Sequence, residues 1–176
     1  MNVILTVDPG VYTMGACLWW EDGFTSTKFS LPFRVVNYNL KSADRRALQP
    51  NDAMAWLVGK LRIYYFEKYP VISCYCEKPA IFTSARGMAG AIKGHVLQLE
   101  MFRGMLFSLC QEFNTLFVDV PALTWKGQLP KKLTVDRIKT LISEQRRNVD
   151  CLRMSANGEN DWDALGIGLH IQGFFK

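Results

Sequence analysis

The chain has 176 residues, 49% of them hydrophobic and 21% charged, a balance that suits one folded domain over residues 1–176 and excludes a disordered chain. No apolar run approaches the roughly 18 residues of a membrane span. The net charge is +5, and residues 126–153 carry all of it, with eight basic side chains against three acidic ones, a concentration that points to a polyanionic partner, nucleic acid before membrane.

In chain order, residues 2–7 form a β-branched-rich run that reads as a strand stopped by Asp8-Pro9-Gly10. Residues 14–20 and 24–31 read as a hairpin around Asp22-Gly23, and 33–50 are polar and irregular. A helix over 51–69 follows, its apolar side (Met54, Leu57, Val58, Leu61, Tyr64, Tyr65) recurring at three and four. Pro70 ends it. Val71 to Cys76 is a second interior strand finishing at Glu77-Lys78-Pro79, and a long helix spans about 88–112. A strand at 115–120 stops at Pro121. A short helix or turn at 121–127 and a Lys-Pro-Lys loop lead to a helix over 134–147, and a polar loop opens a last helix over 161–174. Strands in a hairpin, then helix–strand alternation, predict an α/β domain with a mixed sheet of about five strands flanked by helices.

Five cysteines (Cys17, Cys74, Cys76, Cys110, Cys151) form no C-x-x-C pair, and His95 and His170 lie far from them in sequence. Zinc is therefore not expected, and free thiols in a reducing, cytoplasmic compartment are. Both histidines read as packed side chains.

Three carboxylates stand where strands or helices meet apolar surroundings. Asp8 ends the first strand, Glu77 ends the second interior strand, and Asp163 sits early in a helix apolar nearly all round. An ionised carboxylate in such a place needs a cation or several donors. Each has a plainer reading as well: a turn residue, a partner of Lys78 or an arginine, and a helix N-terminal acid. Gly166 and Gly168 each cost the last helix roughly 0.5–1 kcal/mol relative to Ala. The return is close approach of helix to sheet, which would carry Asp163 toward Asp8 and Glu77. An oxygen-only set without histidines suits Mg²⁺ or Mn²⁺, and two such ions can activate water and stabilise the leaving oxygen of a phosphodiester.

Val7-Asp8-Pro9-Gly10 with Gly15-Ala16, Cys76-Glu77-Lys78-Pro79, and Asp163-Ala164-Leu165-Gly166-Ile167-Gly168 together resemble the acidic motifs of RuvC-type Holliday junction resolvases, which have the RNase H-like fold. Arg86-Gly87 through Lys93 and Gly104 resembles the family's long helix, and Val120-Pro121 with Thr124-Trp125-Lys126 its basic segment. The resemblance runs through nearly the whole chain in the right order. It implies a homodimer that binds a four-way DNA junction and nicks two strands symmetrically with two Mg²⁺ ions per site, in DNA recombination or repair. Mn²⁺ is expected to substitute. Asp8, Glu77 and Asp163 fall on three of the family's four ligands.

At the fourth position stands Asn160, flanked by Asp161 and Glu159. Within a helix Glu159 would share the face of Asp163. A helix beginning at Asp161 would let Asp161 turn inward with Asn160 as cap, and Asp161 is the favoured ligand. The family's DNA contacts would fall on Lys78, Arg86, Lys126, Lys131 and Lys132, with Phe82, further after the glutamate than in bacterial members, as either the aromatic wedge or a core side chain. Two adjoining apolar stripes on 88–112, one with Leu99, Phe102, Leu106 and Leu109 and the other with Leu97, Met101 and Met105, exceed what one core needs and favour a dimer surface there. Asp119 reads as a helix cap or a support to the site. The short length would fit a phage or viral member. The competing readings are a branched-DNA scaffold without catalysis, a less selective RNase H-like nuclease, and a small actin-like phosphotransferase.

Overall fold

The computed structural model describes residues 3–11, 13–20, 23–30, 50–79, 94–127, 129–144 and 160–174. Five strands, β1 (Val3–Pro9), β2 (Thr13–Trp20), β3 (Gly23–Ser30), β4 (Val71–Lys78) and β5 (Leu116–Pro121), form one sheet in the order β3-β2-β1-β4-β5. β1, β2 and β3 are antiparallel neighbours, whereas β4 runs parallel to both β1 and β5. This is the mixed sheet predicted from sequence.

The strands sort their side chains by parity. From β1, Val3, Leu5 and Val7 join Met14, Ala16 and Leu18 of β2 and Cys74 and Cys76 of β4 on one face. There α1 (Pro50–Leu61) and α2 (His95–Glu112) cover them with Met54, Leu57, Leu61, Phe102 and Leu106. On the other face, Cys17 and Trp19 of β2, Phe24 of β3 and Val120 of β5 pack beneath α4 (Lys131–Glu144) and α5 (Asn160–Ile171). A four-residue helix, α3 (Ala122–Trp125), turns out of β5 and adds Trp125 to that second core. β1 is thus covered on both sides, which explains its near-continuous apolar run. Among the described residues no helix is long and apolar enough to cross a membrane.

Three local outcomes differ from the sequence expectation. The helix predicted over 51–69 passes after Leu61 into a π-helical turn, Arg62–Phe66, in which Glu67 N–H bonds the Arg62 carbonyl. The wider turn breaks the 3.6-residue phase, so Tyr65 and Phe66 face the core while Tyr64 is 45% exposed. The helix expected from 134 begins at Lys131, because the Pro130 carbonyl accepts the Thr134 N–H and starts the helix itself. Lys131 and Lys132 therefore occupy a first helical turn instead of a loop. In α2, Phe102, Leu106 and Leu109 are buried as expected, but Leu97 is 67% exposed and Met101 and Met105 are half-buried. The 88–93 part of that predicted helix lies outside the described residues.

Candidate functional site

Strand register sets the first two acids side by side. Val7 pairs with Cys76, so the next residues, Asp8 and Glu77, stand on neighbouring parallel strands about 4.8 Å apart. By parity both look away from α1 and α2, with Thr6 and Tyr75, toward α5. The site therefore forms at the carboxyl ends of two adjacent parallel strands, where open α/β sheets bind ligands.

Close approach of α5 supplies the third acid. Across β2 from Asp8 lies Gly15, where a methyl group would collide with the backbone of Asn160 and Asp161. Asn160 Nδ2 donates to the Thr13 carbonyl at 2.9 Å. Further along, a methyl at Gly166 would strike the Trp125 ring, and one at Gly168 the Trp19 indole. Thr6 Oγ1 donates to the Ala164 carbonyl at 2.7 Å and accepts from Trp19 Nε1 at 3.0 Å, tying helix and sheet together. The glycines do what the sequence implied, and Asp163 comes to lie over Asp8 and Glu77.

Two lysines and a tryptophan bind these acids. Lys126 Nζ contacts Glu77 Oε2 at 3.2 Å and Asp163 Oδ2 at 3.5 Å, and Lys131 Nζ contacts Asp163 Oδ2 at 3.2 Å. Trp125 Nε1 donates to Glu77 Oε2 at 2.9 Å. The Lys126 ammonium also lies 4.8 Å from the centre of the Trp125 ring. Asp8 and Asp163 are only 6% and 5% exposed, and Asp163 Oδ1 is buried with no hydrogen-bond partner among the described residues.

The titration behaviour follows from this crowding. Burial raises the Asp8 pKa well above its ordinary value, the negative charges of Glu77 and Asp163 raise it further, and Lys126 and Lys131 oppose them. Burial likewise raises that of Glu77; Lys126 and the Trp125 hydrogen bond pull against it, and Asp163 adds to it. Burial disfavours the charge on Lys126, but Glu77, Asp163 and Asp8 outweigh it, and its pKa is raised.

Among the described residues, three carboxylates stand against two ammonium groups, with one carboxylate oxygen lacking a hydrogen bond, which leaves a net demand for positive charge. All the donors are hard oxygens, which fits Mg²⁺ or Mn²⁺ in charge and donor type. Among the described residues no three ligand-type side chains are already close enough to grip one ion. In the present arrangement Lys126 bridges Glu77 and Asp163, and Lys131 holds Asp163.

The remaining predicted residues fall as follows. Asp161 is buried, 1% exposed, in the first turn of α5, two positions from Asp163 and so on a different side of the helix. Glu159, Phe82 and Arg86 lie outside the described residues. Lys78 is exposed at the end of β4, and Lys132 is exposed at the start of α4. Lys126 and Lys131, expected on DNA, contact the acids in this structure. Asp119 does not serve this site. One residue before Val120, it points to the opposite sheet face, where Arg103 of α2 binds both its oxygens at 2.9 and 3.1 Å. In the sequence Trp125 stands out only as part of a basic segment. The available signal was its position four residues after a strand-ending proline, close enough to fold back onto the strand ends.

No protein-family model matches the sequence, and no curated protein matches it. Solved structures do. Thermus thermophilus RuvC aligns over 99% of this chain and 98% of its own at 10% identity, with a TM-score of 0.57. The same protein in complex with a Holliday junction substrate aligns over 100% and 99% at 8% identity, TM-score 0.56. The yeast mitochondrial Holliday junction resolvase aligns over 97% of this chain and 78% of its own at 19% identity, TM-score 0.59. With its β3-β2-β1-β4-β5 sheet flanked by helices on both faces, the chain has the RNase H-like fold of RuvC-type resolvases.

Proposed function

We propose that this protein is a metal-dependent endonuclease that resolves four-way DNA junctions by paired nicks, working as a homodimer in DNA recombination or repair inside the cell. The observation that carries the reading is the convergence of Asp8, Glu77 and Asp163, from β1, β4 and α5, on one end of the sheet, in a chain that folds like proteins named for junction resolution. A binding scaffold would gain nothing from buried acids placed beside phosphate, whereas a hydrolase needs them.

In this reading Asp8, Glu77 and Asp163 hold two Mg²⁺ ions, or Mn²⁺, with Asp161 as the fourth carboxylate and Glu159 or Asn160 as the alternatives. The Asn160–Asp161 peptide lies over Gly15, the cross-strand neighbour of Asp8, which supports a ligand from this turn. When bound, such ions supply an activated water and charge compensation at the leaving oxygen. The acids present oxygen ligands from a site largely closed to solvent, where electrostatic interactions are strong. Lys126 and Lys131, already at the site, bind the phosphate once the acids no longer hold them. Lys78, Lys132 and Arg86 fix the DNA backbone, Phe82 stacks on an unpaired base, and the dimer forms through α2 and the residues before it from about 88, a reading that the exposed Leu97 of α2 supports.

The test is cleavage of a labelled synthetic four-way junction beside a linear duplex of the same sequence, in Mg²⁺ and in EDTA, with Asp8→Asn in parallel. Paired symmetric nicks on the junction alone, dependent on metal and on Asp8, are the expected result. Tight junction binding without nicks in Mg²⁺ or in Mn²⁺ would replace the nuclease by a scaffold, and equal cutting of both DNAs would remove junction selectivity.

A further inference from the structure

We propose that Trp125 is a positioning residue of this site, its indole N–H setting the orientation of the Glu77 carboxylate and thereby the affinity of the site for divalent cations; the proposal rests on the metal-dependent reading above.

Among the described residues two donors reach Glu77, and they differ in kind. Lys126 offers a compact ammonium on a flexible four-carbon stem, with contacts at 3.2 and 3.4 Å that it shares with Asp163. Trp125 offers one N–H in a fixed direction, at 2.9 Å from Oε2. The indole cannot swing away. It is 2% exposed and seated on α5 where Gly166 leaves no room for even a methyl group, with Ile138 of α4 beside it. A divalent cation competes with the ammonium of Lys126 for the same acids, since both answer the same negative charge. It does not compete with the indole, which holds a single oxygen. Among the described residues, Oε1 meets only the long 3.4 Å contact from Lys126. Trp125 thus fixes Glu77 in one orientation whether the charge beside it is an ammonium or a metal.

The arrangement also couples parts of the fold. The same ring touches α5 at Gly166, three residues after Asp163, and lies under the ammonium of Lys126. One side chain therefore sets the relative placement of two of the three acids. Hydrogen-bond partners behind metal-binding side chains typically hold roughly 10–100-fold of metal affinity.

The experiment measures Mn²⁺ binding to the DNA-free protein by electron paramagnetic resonance, for wild type, Trp125→Phe and Trp19→Phe. Trp125→Phe keeps a ring against Gly166 and removes the donor. Trp19→Phe removes a buried indole N–H on the same sheet face that is bonded to Thr6, not to one of the acids, and so matches the loss of packing and of a tie to α5 without touching Glu77. A dissociation constant weakened at least about tenfold in Trp125→Phe, with Trp19→Phe like wild type, supports the proposal. Equal weakening in both variants, or none in Trp125→Phe, overturns it, because a packing role alone would not separate the two. Wild-type protein that binds no Mn²⁺ and leaves junctions intact refutes the nuclease reading, and this proposal with it. Should Trp125→Phe not fold, the indole N–H resonance of Trp125 in the otherwise intact protein decides. A shift on Glu77→Gln supports the bond to Glu77, and an unmoved resonance overturns it.

Discussion

Replacing Asp8 with Asn should stabilise the protein in chelator while abolishing junction cleavage. Asp8 is 6% exposed and shares its surroundings with two other acids, so burial first, and Glu77 and Asp163 next, penalise its charge. Two full charges at the roughly 5 Å spacing of neighbouring strands repel by about 3 kcal/mol at an effective dielectric near 20. The nearby ammonium groups of Lys126 and Lys131 return part of that, leaving about 1–2 kcal/mol, which for a chain of this size raises the melting temperature by roughly 2–8 °C. The same logic fixes the pH dependence. A carboxyl whose folded pKa is raised contributes stability that is fully present below its ordinary value, 3.8 for Asp8 and 4.5 for Glu77, and lost as pH rises through the folded value. Wild-type protein in EDTA should therefore melt at progressively lower temperature as pH rises from about 4 to 7, and Asp8→Asn should flatten that slope. Thermal melts by circular dichroism in EDTA, paired with nicking assays in Mg²⁺, read both effects. A lower melting temperature for Asp8→Asn at pH 7, or an unchanged pH slope, would refute the view of Asp8 as a buried charge awaiting compensation.

Lys131→Met removes one of the cations on Asp163, so it should lower the melting temperature in EDTA by a few degrees and tighten Mn²⁺ binding, since the metal no longer competes with that ammonium; calorimetric titration reads the second effect, and weaker binding would count against the competition. Gly168→Ala should destabilise the fold by about 1–3 kcal/mol, because its methyl meets the Trp19 indole; a denaturant midpoint equal to wild type would show that α5 can lift without cost.

Much of this architecture was legible locally. The β1–β2–β3 meander, the interior strand that ends in Glu77 and the buried last helix follow from apolar runs, an Asp-Gly turn and two prolines, all read within short windows. Gly166 and Gly168 even announced the close approach that delivers Asp163. What escaped depends on contacts between distant segments. The π-helical turn at Arg62–Phe66 shifts Tyr64 outward and Phe66 inward, a change of phase that no helical periodicity shows. The face of Asp119 depends on the β4–β5 register, which pairs Glu77 with Val120 and so sends Asp119 the other way. The engagement of Lys126 and Trp125 with Glu77 depends on how the chain doubles back after Pro121. A basic run gives the sign of a charge but not its address.

The closure of α5 over the sheet has a consequence for the birth of the molecule. The Thr6–Ala164 hydrogen bond spans 158 residues of sequence, and α5 covers β1 and β2, strands made well before it. During synthesis at about 5–20 residues per second, the strands carrying Asp8 and Glu77 emerge long before their third acid. A nascent chain therefore holds two carboxylates at an open sheet face and lacks the third until the residues between Glu77 and Asp163 have been made. The order of residues along the chain acts as a timer, and the carboxylate group is completed only when α5, made after both acid-bearing strands, packs over them.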